Sequence, residues 1–303
     1  MHHESEDRYR TLFETSPDGI VLTDLQGTIL MANTAAARIH GYEQGEELIG
    51  ANVCEVVRPE DQARAGKTIQ EALAIGHVRN AEHQLLRRDT TVFAELNLSV
   101  IKDKHGNSTA LIGVVRDVTE RRRLEEQLRY QALHDTLTDL PNRMLLYNRL
   151  EHALLSAQRE GTSVALLLLD LDGFKETNDR FGHDYGDRVL QQAAPRLQSV
   201  LRASDTVARL GGDEFAVVLR EADEQGAIEV GRKLLKVLAA PLTVGEQTVV
   251  IGASIGIAVY PEHGEEGKTL LRSADHAMYA AKRGKLGYAV YQPGVHETLK
   301  GQT

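Results

Sequence analysis

"RLGGDEFAVVLR", residues 209–220, sets two glycines before two carboxylates and then closes on an apolar run. With "DTVA" ahead of it, the segment reads as a β-hairpin with Gly211 and Gly212 at the turn and Asp213 and Glu214 at the tip. A second stretch, "SVALLLLDLD", reads as a buried strand by its continuous apolar run and ends in Asp170 and Asp172. Side chains alternate along a strand, so these two carboxylates share a face. Gly173 then ends the strand or lets the backbone approach a ligand closely. A carboxylate at the end of a buried strand needs a partner, and a metal ion is a common one. If the two strands are neighbours, several oxygen donors converge. Such donors, with no nearby Cys or His pattern, suit Mg²⁺ or Mn²⁺ and not zinc. Sites of this kind hold nucleotide phosphates and assist phosphoryl or nucleotidyl transfer. The basic helix end at Lys282 and Arg283 supplies the charge a triphosphate needs.

Around these stretches the pattern is mixed α/β. "GDRVLQQAAPRLQSVL" is helical but interrupted by Pro195, "AIEVGRKLLKVLAAP" is a helix, "TVVIGASIGIAVYP" is a strand, and "TLLRSADHAMYAAKR" is a final helix. The first third differs. "DGIVLTDLQGTILMAN" gives two short strands joined at Gln26-Gly27, and "TAAARIHGYEQGEELIG" and "PEDQARAGKTIQEALAIG" read as helices. Pro59, followed by Glu60 and Asp61, suits a first helical turn. "NAEHQLLRR", "TVFAELNLSVIK" and "STALIGVVRDVT" read as three further strands.

Two strands, a helical middle and three strands, with the markers "SPDGI", "GYEQGEELIG", "RPED" and "RDVTERR", resemble a PAS sensor domain over residues 7–118. The resemblance implies an antiparallel five-stranded sheet with helices. Residues 119–133 form a linker helix that either Asp117 or Thr119 could cap. Its Leu124, Leu128 and Gln131 lie at i, i+4 and i+7, a seam able to pair two copies.

The order and spacing of "DTLTDLPNR", "LLLDLDGFKETNDRFGHDYGD", "RASDTVARLGGDEF", "SIGIAVYPEHG" and "SADHAMYAAK" resemble the GGDEF domain of diguanylate cyclases, placed here at 134–292 with a tail at 293–303. The resemblance implies an overall α+β chain whose second domain is a nucleotidyl-cyclase or polymerase-palm-like α/β sandwich. It implies condensation of two GTP into cyclic di-GMP with release of two pyrophosphates, in a homodimer paired through the PAS domain and linker. Carried over by residue, Asp170 and the Leu171 carbonyl hold a metal, and Asp213 and Glu214 are the metal-binding and catalytic acids. Gly173, Phe174 and Lys175 face the phosphates, Asn178 and Asp187 read guanine, Gly211 and Gly212 leave room for the nucleotide, and Lys282 binds the triphosphate. Arg202 and Asp205 match the family's inhibitory product site, to which Arg232 or Lys233 could add a cation. "AKRGKLGY" departs from the family pattern, being one residue short and lacking an Asn, so Lys285 stands where the second phosphate-binding cation is sought.

Composition sets outer bounds. The 303 residues suffice for two domains, and a net charge of -9 argues against a general nucleic-acid-binding face. Cys54 is the single cysteine, which fits a reducing cytoplasm. The opening "MHHESEDRYR" has no apolar signal core, and "VALLLL" falls far short of the roughly 20 residues that span a bilayer. Cys54 lacks the context of flavin-thiol photochemistry, and His40, His77 and His83 have no decisive haem-ligand context, so the sensor ligand is open. A receptor that binds GTP or cyclic di-GMP without turnover is the second reading. "YQPGVHETLKGQT" resembles the lead into an EAL phosphodiesterase domain.

Overall fold

The computed structural model describes residues 2–294 apart from Asp89 and Glu246; the tail from Val295 on, with its EAL-like lead, lies outside the described residues. The chain divides into two compact units at Gln127 and Leu128.

The first unit opens with α1 (His2–Thr15), β1 (Gly19–Thr23), β2 (Ile29–Ala32) and α2 (Thr34–His40). The Asp24 carboxylate accepts from the backbone N–H groups of Gln26 and Thr28 and so folds the turn between the strands. Asn33 caps α2 through Ala36 N–H, while its amide also bonds Ile20, Phe13 and Asp18 of the preceding segment. The expected long helix over "TAAARIHGYEQGEELIG" is not formed. Gly41 takes a left-handed conformation (φ 83°) that closes α2, and only a 3₁₀ turn, Gly45–Leu48, follows. Pro59 begins a second 3₁₀ turn that leads into α3 (Gln62–Ile75).

Strands β3 (His77–Arg87), β4 (Thr90–Lys102) and β5 (Ser108–Asp117) complete an antiparallel sheet in the order β2-β1-β5-β4-β3. The sheet encloses a cavity of about 80 Å³, lined by aliphatic side chains such as Val21, Leu98 and Leu111 with His40 and His83 at its wall. That is well below the roughly 300–1,000 Å³ of pockets that hold drug-sized ligands. His40 Nδ1 lies 2.8 Å from the Leu86 carbonyl and His83 Nε2 lies 3.2 Å from Thr68 Oγ1. Burial lowers the pKa of both imidazoles below the usual histidine value. His77 lies exposed at the start of β3.

Helix α4 (Thr119–Leu133) follows and has no buried side chain; Leu124 and Leu128 are 52% and 64% exposed. Of the two proposed caps, Asp117 is the one that accepts from Thr119 N–H, while the Thr119 hydroxyl accepts from Phe93 N–H of β4.

The second unit contains α5 (Arg143–Glu160), β6 (Val164–Asp172), α6 (Phe174–Phe181), α7 (His183–Ser199), β7 (Thr206–Gly211), β8 (Glu214–Arg220) and α8 (Glu224–Leu238). It ends with β9 (Leu242–Val244), β10 (Gln247–Val249), β11 (Gly252–Tyr260), α9 (Gly267–Gly284) and β12 (Tyr288–Val290). The main sheet runs β12-β11-β6-β8-β7, antiparallel except where β12 lies parallel to β11. Leu167, Leu169 and Leu171 of β6 pack with Val189 of α7 and Leu234 of α8. Leu166 and Leu168 pack on the other face with Leu150 of α5 and Leu270 of α9. Burial on both faces is why β6 is continuously apolar rather than alternating.

Two expectations need correction, and one helix was missed. Pro195 does not interrupt the helix: α7 runs through it, held by the buried stripe Val189, Leu190, Ala193, Ala194 and Leu197 against a penalty of roughly 3 kcal/mol. "TVVIGASIGIAVYP" is two strands, not one, because Val250 turns outward (62% exposed) and β10 pairs with β9 in a separate ribbon. Helix α5 was not anticipated.

At Gly256, α9 comes so close to β11 that an added Cβ would meet the Ala274 carbonyl oxygen at 2.0 Å and Met278 N at 2.2 Å. Gly256→Ala is therefore expected to destabilise the second unit by about 3 kcal/mol. Chemical denaturation followed by a probe in each unit should show the loss in the second unit alone.

Candidate active site

The hairpin turn between β7 and β8 is closed by the Gly211–Glu214 pair, with a bulge between Arg209 and Gly211. Gly211 and Gly212 have φ 140° and 55°, and a Cβ on either would meet nothing within 4 Å. Glycine is thus required by the backbone conformation, and the space above the turn is open. On β6, Asp170 pairs with Glu214 on one side and with Ser254 of β11 on the other. Directly paired residues project to the same face, so β6, β8 and β11 present Asp170, Glu214 and Ser254 side by side. Ser254 Oγ donates to Asp172 Oδ1 at 2.8 Å. Leu171 is buried in the core, and its N–H donates to the Asp213 carbonyl at 3.2 Å, which straps the turn to the end of β6.

Charge is balanced from the helices on this face. Lys282, in the last turn of α9, lies with Nζ 2.6 Å from Asp170 Oδ1. Arg143, the first residue of α5, stands 3.9 Å from Glu214 Oε2. Burial pushes the Asp213 carboxyl above its ordinary pKa, and the charge of Asp170 adds to the shift; its own backbone N–H, Lys282 and Arg209 oppose it. The donor set is all oxygen, gathered by half-buried acids whose mutual repulsion favours a cation. Oxygen donors of this kind suit a hard divalent metal.

Two residues that sequence reasoning missed hold the turn in place. Arg209 donates from Nε and Nη2 to the Gly212 carbonyl (3.0 and 2.8 Å) and from Nη1 to both Asp135 oxygens (2.9 and 3.1 Å). Burial alone would raise the Asp135 carboxyl, but hydrogen bonds from Thr138 and Arg209 outweigh it and hold the pKa below its usual value. The "DTLTDLPNR" segment thus serves as a brace for the hairpin. Its only sequence signal was an acid and an arginine of opposite charge, 74 residues apart.

The remaining candidates lie on α6 and α7. Gly173 adopts a left-handed conformation (φ 72°) at the start of α6, followed by buried Phe174 and exposed Lys175. Asn178, on α6, has its amide oxygen buried and without a partner among the described residues. Gly186 makes room for that amide: a Cβ there would lie 1.9 Å from Asn178 Oδ1. Asp187 is the next residue on α7 and is exposed. Arg202 and Asp205 form a separate tight turn, in which Asp205 Oδ2 accepts from Arg202 N–H at 3.0 Å and the Arg202 side chain is exposed. Asp205 lines a groove of about 940 Å³ with Arg149, Arg159 and Arg220. Of the two further cations, Arg232 bonds the Tyr288 hydroxyl and lies over its ring, and Lys233 is exposed. Lys285 terminates α9 in a left-handed conformation (φ 51°).

An antiparallel five-stranded sheet domain is followed by a helix and a mixed α/β domain that places acids at a glycine hairpin. Comparison with known proteins identifies the family. Residues 132–286 match the family described as diguanylate cyclase, GGDEF domain, and residues 13–123 match the PAS fold. The chain belongs to the GGDEF family, with a PAS domain preceding the GGDEF domain.

The bifunctional diguanylate cyclase/cyclic di-GMP phosphodiesterase MucR of Pseudomonas aeruginosa is 43% identical over 185 residues, covering 61% of this chain and 27% of that protein. The signaling protein YkoW of Bacillus subtilis is 31% identical over 311 residues, covering 98% of this chain and 37% of that protein. A structure of the GGDEF domain of TpbB from Pseudomonas aeruginosa superposes with a TM-score of 0.54 at 43% identity, covering 55% of this chain and 99% of that one. The chain thus spans about a quarter to two fifths of the length of the curated relatives it matches. GGDEF diguanylate cyclases are generally dependent on a divalent metal. Among the described residues no helix is long and apolar enough to cross a membrane.

Arg209→Met should leave the half-buried Asp135 carboxylate without its cation and the Gly212 carbonyl without its donors, a loss of about 1–2 kcal/mol. Amide hydrogen exchange across residues 211–214 should accelerate more than the drop in overall stability accounts for.

Proposed function

We propose that the chain is a diguanylate cyclase that joins two GTP molecules into cyclic di-GMP and releases two pyrophosphates. The observation that carries this reading is the side-by-side placement of Asp170 and Glu214, with Asp213 strapped to the end of the same strand and Lys282 reaching in from α9. In this reading residues 7–118 are the sensor, 119–133 the signalling helix, 134–292 the cyclase domain and 293–303 a tail.

Asp170, the Leu171 carbonyl, Asp213 and Glu214 would hold Mg²⁺ or Mn²⁺, which supplies Lewis acidity toward the α-phosphate and its attacking hydroxyl. Gly173, Phe174 and Lys175 present backbone N–H groups and a cation to the phosphates, and Lys282 adds a second charge. Asn178 and Asp187 read the guanine edge. The unpartnered, buried amide oxygen of Asn178 supports this, because guanine offers N–H donors to such an acceptor. The 3′-oxygen of one GTP forms a bond to the α-phosphorus of the other as the bond to pyrophosphate breaks. Asp213, at the tip of the hairpin, would take the hydroxyl proton.

Each subunit brings one nucleotide, so two copies must meet. The exposed Leu124 and Leu128 of α4 supply an apolar seam for pairing, together with the PAS domain. Product is proposed to bind at Arg202 and Asp205, where the groove arginines offer charge to its phosphates.

Incubation with GTP and Mg²⁺ should yield cyclic di-GMP and pyrophosphate, with Asp213→Ala and Glu214→Ala each lowering turnover at least about 100-fold. Absence of product at every protein concentration, after bound cyclic di-GMP has been stripped, would favour a non-catalytic receptor. Gly186→Ala, which forces the Asn178 amide aside, should raise KM for GTP about tenfold or more and narrow the preference for GTP over ITP, which lacks the guanine amino group.

A further inference from the structure

The ammonium of Lys282 does more than wait for phosphate. Its Nζ lies 2.6 Å from Asp170 Oδ1, an oxygen of a carboxylate two residues before the end of β6 that heads the proposed metal-binding set. The two partners are unequal in freedom. The Asp170 side chain is only 14% exposed and is fixed on a strand buried on both faces, whereas the Lys282 side chain is 51% exposed on a flexible four-carbon stem. The hydrogen bond to Asp170 raises the Lys282 pKa most, and the charges of Asp170, Asp213 and Asp172 raise it further against burial.

A divalent cation ligated by Asp170 and this ammonium would stand within a few ångströms of each other, both positive, at the same carboxylate. Two like charges at that range in a half-buried site repel strongly. The repulsion is relieved when Lys282 has another anion to pair with, and a nucleotide triphosphate supplies one within reach of the same stem.

Resting on the cyclase reading above, we propose that Lys282 is an exchange cation for the acid cluster. It neutralises Asp170 in the nucleotide-free protein and gives up that place when the triphosphate arrives with its metal. Metal and nucleotide then enter as one unit, and metal alone binds poorly. Lys282 is thereby a positioning residue whose departure from Asp170 is coupled to substrate loading, and Asp170 is never left as a bare buried charge.

The test is Mn²⁺ binding to the full chain, read from the electron paramagnetic resonance signal of free Mn²⁺ at fixed ionic strength. Wild type, Lys282→Gln, Arg283→Gln and Asp170→Asn are titrated with and without 3′-deoxy-GTP, which lacks the attacking hydroxyl and so does not turn over. Arg283 is the charge-matched control: it neighbours Lys282 on α9 but stacks over the Tyr279 ring.

Without nucleotide, Lys282→Gln should bind Mn²⁺ at least about tenfold more tightly than wild type, and Arg283→Gln should match wild type. Adding 3′-deoxy-GTP should strengthen Mn²⁺ binding more in wild type than in Lys282→Gln, because only wild type has an ammonium to move. Equal or weaker binding by Lys282→Gln without nucleotide overturns the proposal, as does equal tightening in Arg283→Gln, which would reduce the effect to net charge. If wild type holds Mn²⁺ no better than Asp170→Asn even with 3′-deoxy-GTP, the metal-site reading fails as well. The two failures are therefore distinct.

Discussion

Carboxylates at the end of a buried strand repel one another, and the second unit is arranged to hold them together nonetheless. Leu166 to Leu169 fix β6 between helical layers, so charge can enter that strand only where it emerges, at Asp170 and Asp172. Pairing on both sides of β6 then aligns Glu214 and Ser254 with Asp170. The opposing charge comes from elements that pack on this face for other reasons: α9 delivers Lys282 and α5 delivers Arg143. The apolar contacts that make the fold are what oblige the acids to share a site.

The hairpin tip is held by a different device. Arg209 grips the Gly212 carbonyl on one side and Asp135 on the other, and Arg209 N–H bonds the Pro141 carbonyl. The segment carrying Asp135 is tied back to α4, since Asn142 bonds the carbonyls of Ala132 and Leu133. Hydrogen bonds and the Pro141–Asn142 peptide link thus connect the end of α4 to the turn that presents Asp213.

Much of this was legible in the sequence because the decisive signals are local. The apolar run of β6 with its terminal acids, the glycine pair, and the polar-apolar alternation of "FAELNLSV" in β4 each follow from one short stretch. What was not legible depends on distant partners. Nothing near Pro195 shows that a buried stripe carries α7 past it, whereas the stop of α2 had a local signal that the longer-helix expectation passed over, Gly41 directly after Arg38 and His40. The roles of Arg209 and Gly186 are invisible without the third dimension. One needs Asp135, which lies far away in sequence, and the other needs the amide of a residue on a neighbouring helix. The site residues could be nominated from the motif, but their supports could not.

The position of β6 and β7 in the sheet has a consequence for fluctuations. β6 is central, with every residue from Val164 to Leu169 buried, whereas β7 is an edge strand whose outer side has no strand partner and is tied by the bond from Arg209 N–H to the Pro141 carbonyl. Opening free energy is not uniform across a fold, and it is highest where a strand is covered on all sides. Asp170 therefore rides on the part of the domain that opens last, while Asp213 sits on a turn whose outer arm can fray first. The acid cluster joins a stiff half to a soft half, so excursions of the edge strand can separate its members while the core stays folded.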